Sequence, residues 1–113
     1  MSDKNEIINT LINRIIELVH PLQIILFGSA ARSEMTPDSD IDLLVVMPEG
    51  APQRETARYL YRHLTGISIP YDLVVVTHQD LTDYKDDVGF IYYYALKEGK
   101  TVYDGRKTKA EVI

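Results

Sequence analysis

Apolar side chains recur at Ile7, Ile8, Leu11, Ile12, Ile15, Ile16 and Val19, a spacing that lines one face of a helix over residues 3 to 19. Asp3 or Asn5 could cap that helix, and Pro21 ends it. The pattern then changes. QIILF (23 to 27), IDLLVVM (41 to 47) and YDLVVVT (71 to 77) are short aliphatic runs flanked by Pro or Gly, as expected of strands buried on both faces. Between the second and third runs, residues 53 to 65 read as a helix that Gly66 stops. The stretch VGFIYYYALKEG (88 to 99) has the aromatics of a strand but the Lys-Glu-Gly ending of a helix, and a helix is the expectation. KTVYDG (100 to 105) could add a short edge strand before a frayed end. This order predicts an α/β fold, a small mixed β-sheet flanked by helices, without repeats or linkers.

Composition narrows the picture. A chain of 113 residues, 45% hydrophobic and 26% charged, has the size for one core, so residues 1 to 113 are expected to form a single domain. The net charge of -5 argues against broad binding to nucleic acid or an anionic membrane, which runs through clustered Lys and Arg. Cysteine is absent, which excludes disulfides and thiolate metal sites and suits a reducing cytosol. The opening MSDKNEIINTL carries acids where a signal peptide carries basic residues, and no run approaches the roughly 20 apolar residues of a membrane span. The expectation is a soluble cytoplasmic protein.

The candidate chemistry lies in LFGSAARSEMTPDSDIDLLVV, residues 26 to 46. Asp40 and Asp42 are two apart at the start of a strand, so both side chains point to one face. Two crowded carboxylates push one pKa up unless a cation lies between them, and a hard divalent cation such as Mg²⁺ takes oxygen ligands of this type. Alternatively, DSDID is a loop that caps itself through Asp38 and Ser39 with both aspartates solvated. Gly28-Ser29 follows a strand directly and precedes a helical turn, either a setting whose exposed N–H groups bind phosphate or simply the end of the strand, as Gly-Ser often is. Arg32, three residues beyond Ser29, could meet a triphosphate or form a surface ion pair with Asp38. Asp72 opens the third strand, either as a further carboxylate of the site or as an exposed strand end after Pro70.

Gly28-Ser29, ten residues, then Asp40-Ile41-Asp42 resembles the signature of the polymerase-beta-like nucleotidyltransferase superfamily. Four fixed positions at set spacing arise by chance in about one in 1000 chains of this length. The likeness extends from the leading helix through the third strand, and the short length resembles the minimal nucleotidyltransferases, which often act as antitoxins beside a HEPN ribonuclease toxin. The resemblance implies that Asp40, Asp42 and Asp72 bind two Mg²⁺ ions, that Asp72 accepts or orients the acceptor's proton, and that Gly28, Ser29, Arg32 and Ser39 contact the nucleotide, with ATP as substrate. It also implies a hetero-oligomer with a HEPN toxin whose tyrosine hydroxyl accepts AMP. A noncatalytic antitoxin that covers the toxin, and transfer to a small molecule or RNA, are the alternatives. Ser33 stands where a Gly commonly follows the motif Arg.

The site needs a particular topology. Ser29 and Asp40 meet if the first two strands are antiparallel neighbours, and Asp72 joins them if the third strand runs parallel to the second across a crossover helix. His20, His63 and His78 lack metal-ligand spacing and read as surface or packing residues. Tyr59, Tyr61, Tyr92, Tyr93 and Tyr94 read as core or interface side chains, and three consecutive tyrosines leave at least one for solvent or a partner. Asp80, Asp83, Asp86 and Asp87 cluster around an expected helix start.

Overall fold

The computed structural model describes residues 4–28, 40–84 and 97–105. The described elements are α1 (Lys4–Val19), β1 (Gln23–Phe27), β2 (Ile41–Met47), α2 (Gln53–His63), β3 (Tyr71–Thr77), α3 (His78–Tyr84) and β4 (Lys100–Asp104). The strands form one sheet in the order β3-β2-β1-β4. β1 runs antiparallel to both β2 and β4, whereas β2 and β3 are parallel, with α2 in the connection between them. The sheet is mixed, as the strand pattern predicts, and KTVYD does supply an edge strand.

Two hydrophobic layers fix this arrangement. On one face, Ile8, Leu11, Ile12 and Ile15 of α1 and Leu60 of α2 pack against Ile24, Leu26, Ile41, Leu43, Val45, Met47 and Leu73. On the other, Ile25, Phe27, Leu44, Val46 and Val76 gather with Leu81 of α3. Strand periodicity sends alternate residues to opposite layers, so a central strand covered on both sides must be apolar throughout. β2 obeys this rule everywhere except at Asp42, which is half-buried among buried neighbours.

The ends of the helices carry the departures from the sequence reading. α2 ends at His63, two residues before the expected limit, because Leu64 is already extended with ψ 96° while its N–H still bonds Leu60 O at 2.8 Å. α3 is a helix of its own, ahead of the one expected over 88 to 99. Its start is a capping box: Asp80 N–H donates to Thr77 Oγ1 at 3.2 Å, and Thr77 N–H donates to Asp80 Oδ2 at 3.1 Å. The Thr-x-x-Asp spacing at 77 to 80 was the signal for it. Asp80 and Asp83 lie in α3, whereas Asp86, Asp87 and Tyr92 to Tyr94 lie outside the described residues. Of the helix expected over 88 to 99 only the end is described, where Lys97 and Glu98 are helical and Gly99 is not.

α1 terminates at His20, which adopts φ 49° while its N–H bonds Ile16 O at 3.0 Å. That is a left-handed helix stop, a position glycine usually fills because an L side chain there is strained by about 1–2 kcal/mol. Pro21 then prevents the helix from continuing. His20→Gly should therefore stabilise the fold by about 0.5–1 kcal/mol in urea unfolding, since relief of strain exceeds the extra freedom gained by the unfolded chain.

Candidate active site

Every strand end that matters lies at one edge of the sheet. β1 finishes at Phe27, paired across the antiparallel ladder with Asp42, and Gly28 follows it. β2 and β3 are in register along their whole length, Ile41 beside Tyr71, Asp42 beside Asp72 and Leu43 beside Leu73. A further bond pins the two strand entrances together: Ile41 N–H donates to Pro70 O at 3.0 Å, between Asp40 and Asp42 on one strand and just ahead of Asp72 on the other. Asp42 and Asp72 therefore project from the face that carries Phe27, Leu44, Val74 and Val76, and Asp40 precedes Asp42 by one strand period.

Gly28 makes the closest approach. It has φ 73°, a conformation that costs glycine little, and a Cβ built on it would collide with Asp42 Oδ2 and lie 3.2 Å from Asp42 Cγ. The Asp42 carboxylate thus lies directly against the backbone at the end of β1. A side chain at position 28 would occupy that space.

Electrostatics single out the same residue. Burial raises the pKa of the Asp42 carboxyl above the ordinary aspartate range, and the charges of Asp72 and then Asp40 raise it further. Asp40 and Asp72 are themselves exposed. Among the described residues, no three acidic or histidine side chains are drawn together tightly enough to hold a metal ion as they stand. The donor chemistry nonetheless fits Mg²⁺: hard carboxylate oxygens, one of them half-buried under like charge and lying against the Gly28 backbone. A divalent cation between the carboxylates would reverse the repulsion that raises Asp42.

Gly28, Asp40, Asp42 and Asp72 thus share one end of the sheet, whereas Ser29, Arg32 and Ser39 lie outside the described residues, as does Ser33. His20, His63 and His78 are all exposed and belong to separate parts of the fold. Tyr59 and Tyr61, expected in a core or interface, are 44% and 46% exposed on α2. Tyr59 tilts against His63, while Tyr61 stacks on Tyr71 and accepts a hydrogen bond from Leu73 N–H at 2.8 Å. That bond was not legible in the sequence, because nothing in the pattern of α2 marks which tyrosine reaches the strand.

Two measurements follow from this geometry. Gly28→Ala should cost about 1–2 kcal/mol from its left-handed backbone alone, with a further loss from displacing Asp42, and chemical denaturation reads the total. For Asp42, the native state holds a proton that the unfolded chain releases at lower pH, so its ionisation weakens the fold as pH rises through the raised native pKa. Below the unfolded value of 3.8 this penalty is absent, and above the native pKa it is complete. In EDTA at neutral pH, Asp42→Asn should therefore melt higher than the wild type, with the gain disappearing in acid; a differential scanning fluorimetry series across pH checks both halves.

Comparison with known proteins places this arrangement. A family model described as nucleotidyltransferase domain matches residues 8–102. Comparison with curated protein sequences returns no match. Among solved structures, a candidate nucleotidyltransferase from Sulfolobus solfataricus aligns with a TM-score of 0.61 at 20% identity, covering 90% of this chain and 81% of its own. A toxin-antitoxin structure with AMP-PNP aligns at 0.51 and 20% identity, covering 96% and 80% respectively. A tri-AMPylated Shewanella oneidensis HEPN toxin in complex with MNT antitoxin aligns at 0.50 and 18% identity, covering 91% and 77%. At these identities the structural likenesses establish the fold. With the family model spanning nearly the whole sheet and the glycine and aspartates gathered at one end of it, the chain belongs to the nucleotidyltransferase domain family.

Proposed function

We propose that the protein transfers AMP from ATP to a tyrosine hydroxyl of a HEPN-family toxin, and so acts in the cytoplasm as that toxin's antitoxin. The observation that carries this reading is the position of Asp42, pressed against Gly28 on one side and registered with Asp72 on the other. The neighbouring structures support the choice of substrates: one contains AMP-PNP with a toxin-antitoxin pair, and another contains an AMPylated HEPN toxin with an MNT antitoxin. The first implies an adenine nucleotide and the second a protein acceptor.

In this reading Asp40 and Asp42 offer carboxylate oxygens to two Mg²⁺ ions, and Asp72 is the third carboxylate at the catalytic position. The ions, when bound, supply the charge neutralisation and in-line clamp of a two-metal site. Gly28 and Ser29 hold the β and γ phosphates, with Arg32 and Ser39 completing the nucleotide contacts. The tyrosine oxygen forms a bond to the α-phosphorus as the bond from that phosphorus to the bridging oxygen breaks. Pyrophosphate leaves, and Asp72 takes or orients the phenolic proton. The new phosphodiester places negative charge on the toxin, where it repels an RNA substrate.

Incubating the protein with labelled ATP, Mg²⁺ and a HEPN toxin encoded beside its gene should move label onto a toxin tyrosine and remove ribonuclease activity. Asp40→Asn combined with Asp42→Asn should slow the transfer by at least about a hundredfold. Full transfer by that double variant would remove the proposed metal site. Equal inhibition without ATP would instead identify a binding antitoxin.

A further inference from the structure

Among the described residues β3 is an edge strand, so its outward backbone groups have no described neighbouring strand to pair with. Helix α2 meets some of them. Tyr61 Oη accepts from Leu73 N–H at 2.8 Å, and Gln53 Nε2 donates to Val75 O at 3.3 Å. Gln53 and Tyr61 are eight residues apart, two i,i+4 steps along one face of the helix, and both reach the outward side of the strand. Asp80 meets a third outward group, Thr77 N–H, at 3.1 Å. Side chains thus do at this edge what a fifth strand would do.

Of the three, Tyr61 alone acts beside an aspartate of the site. Its hydroxyl holds the N–H of the peptide that joins Asp72 to Leu73, and its ring stacks on Tyr71, the residue before Asp72, with centroids 5.8 Å apart and planes within 9°. Tyr71 is held in turn by its own hydroxyl, which donates to Leu64 O at 3.3 Å. The backbone on both sides of Asp72 is therefore fixed from the α2 side of the sheet, opposite the face from which Asp72 projects. The β2 ladder fixes only the inner side of this strand. The ladder ties Asp72 to β2 on that inner side, whereas the outer side of the strand is held next to Asp72 by the Tyr61 bond to Leu73 N–H.

The geometry points to Tyr61 as a positioning residue for Asp72: by clamping residues 71 to 73 it keeps the third carboxylate within reach of the Asp40–Asp42 pair. This inference rests on the nucleotidyltransferase reading of the three aspartates. Tyr61→Phe isolates it, because the ring and its stack on Tyr71 remain while Leu73 N–H loses its acceptor. Tyr59→Phe, which makes the same chemical change on the other exposed tyrosine of α2, is the control.

Three readings on the full-length chain test it: amide hydrogen exchange at Leu73, binding of Mn²⁺ in the presence of AMP-PNP followed by electron paramagnetic resonance, and steady-state AMP transfer. Tyr61→Phe should speed Leu73 exchange and weaken Mn²⁺ binding, each by about three- to tenfold, the range of one net hydrogen bond. It should lower kcat with KM for ATP unchanged, and excess Mn²⁺ should restore part of the rate. Tyr59→Phe should alter none of these. Faster Leu73 exchange with wild-type Mn²⁺ binding and kcat would make Tyr61 a structural contact only, and unchanged exchange would remove the clamp itself; either overturns the inference while leaving the aspartate site intact. Failure of the wild type to bind Mn²⁺ with AMP-PNP would instead overturn the reading on which it rests.

Discussion

The structure depends on the in-register parallel pairing of β2 with β3. Because side chains alternate along a strand, a slip of one residue would turn Ile41, Leu43 and Val45 toward α3 and send Leu44 and Val46 toward α1 and α2. Each of these aliphatic side chains is fully buried and contributes roughly 1.5–3 kcal/mol relative to exposure. The apolar core therefore sets the register, and the register sets Asp42 beside Asp72. Repulsion between two carboxylates at the strand entrance is small against that sum. The hydrophobic pattern thus fixes the place of the charges.

From the same cause, much of this end of the sheet could be read from sequence. The apolar runs at 23–27, 41–47 and 71–77 match β1, β2 and β3 to the residue, since each is an unbroken aliphatic stretch beside a Pro or Gly, although β3 is only partly buried. The same pattern put Gly28 at the close of the first strand, but not its contact with the Asp42 carboxylate. What escaped was governed by local chemistry that overrides periodicity. The left-handed stop at His20 uses a residue not usual there, and α3 is set by reciprocal side-chain bonds between Thr77 and Asp80 rather than by an apolar stripe. The contact of Tyr61 with Leu73 belongs to the crossing of a helix over a strand, which no spacing within α2 encodes.

Placing the site at this end has a physical cost and a physical use. Asp42 carries a raised pKa because it is half-buried and, to a lesser degree, because the charges of Asp72 and Asp40 lie near it, an arrangement that weakens the fold unless something positive enters. Gly28 adds a backbone conformation open to few other residues. Both features sit where the end of β1 meets the start of β2. In the proposed function, the cost of bringing these like charges together is met during folding and offset when cation and phosphate bind.

The most direct test is a crystal structure of the wild-type chain grown with Mn²⁺ and AMP-PNP, with data collected at the manganese absorption edge. The account predicts anomalous peaks bounded by the carboxylates of Asp40, Asp42 and Asp72, with the triphosphate running over Gly28. Manganese bound elsewhere, or a nucleotide seated away from the end of β1, would contradict it.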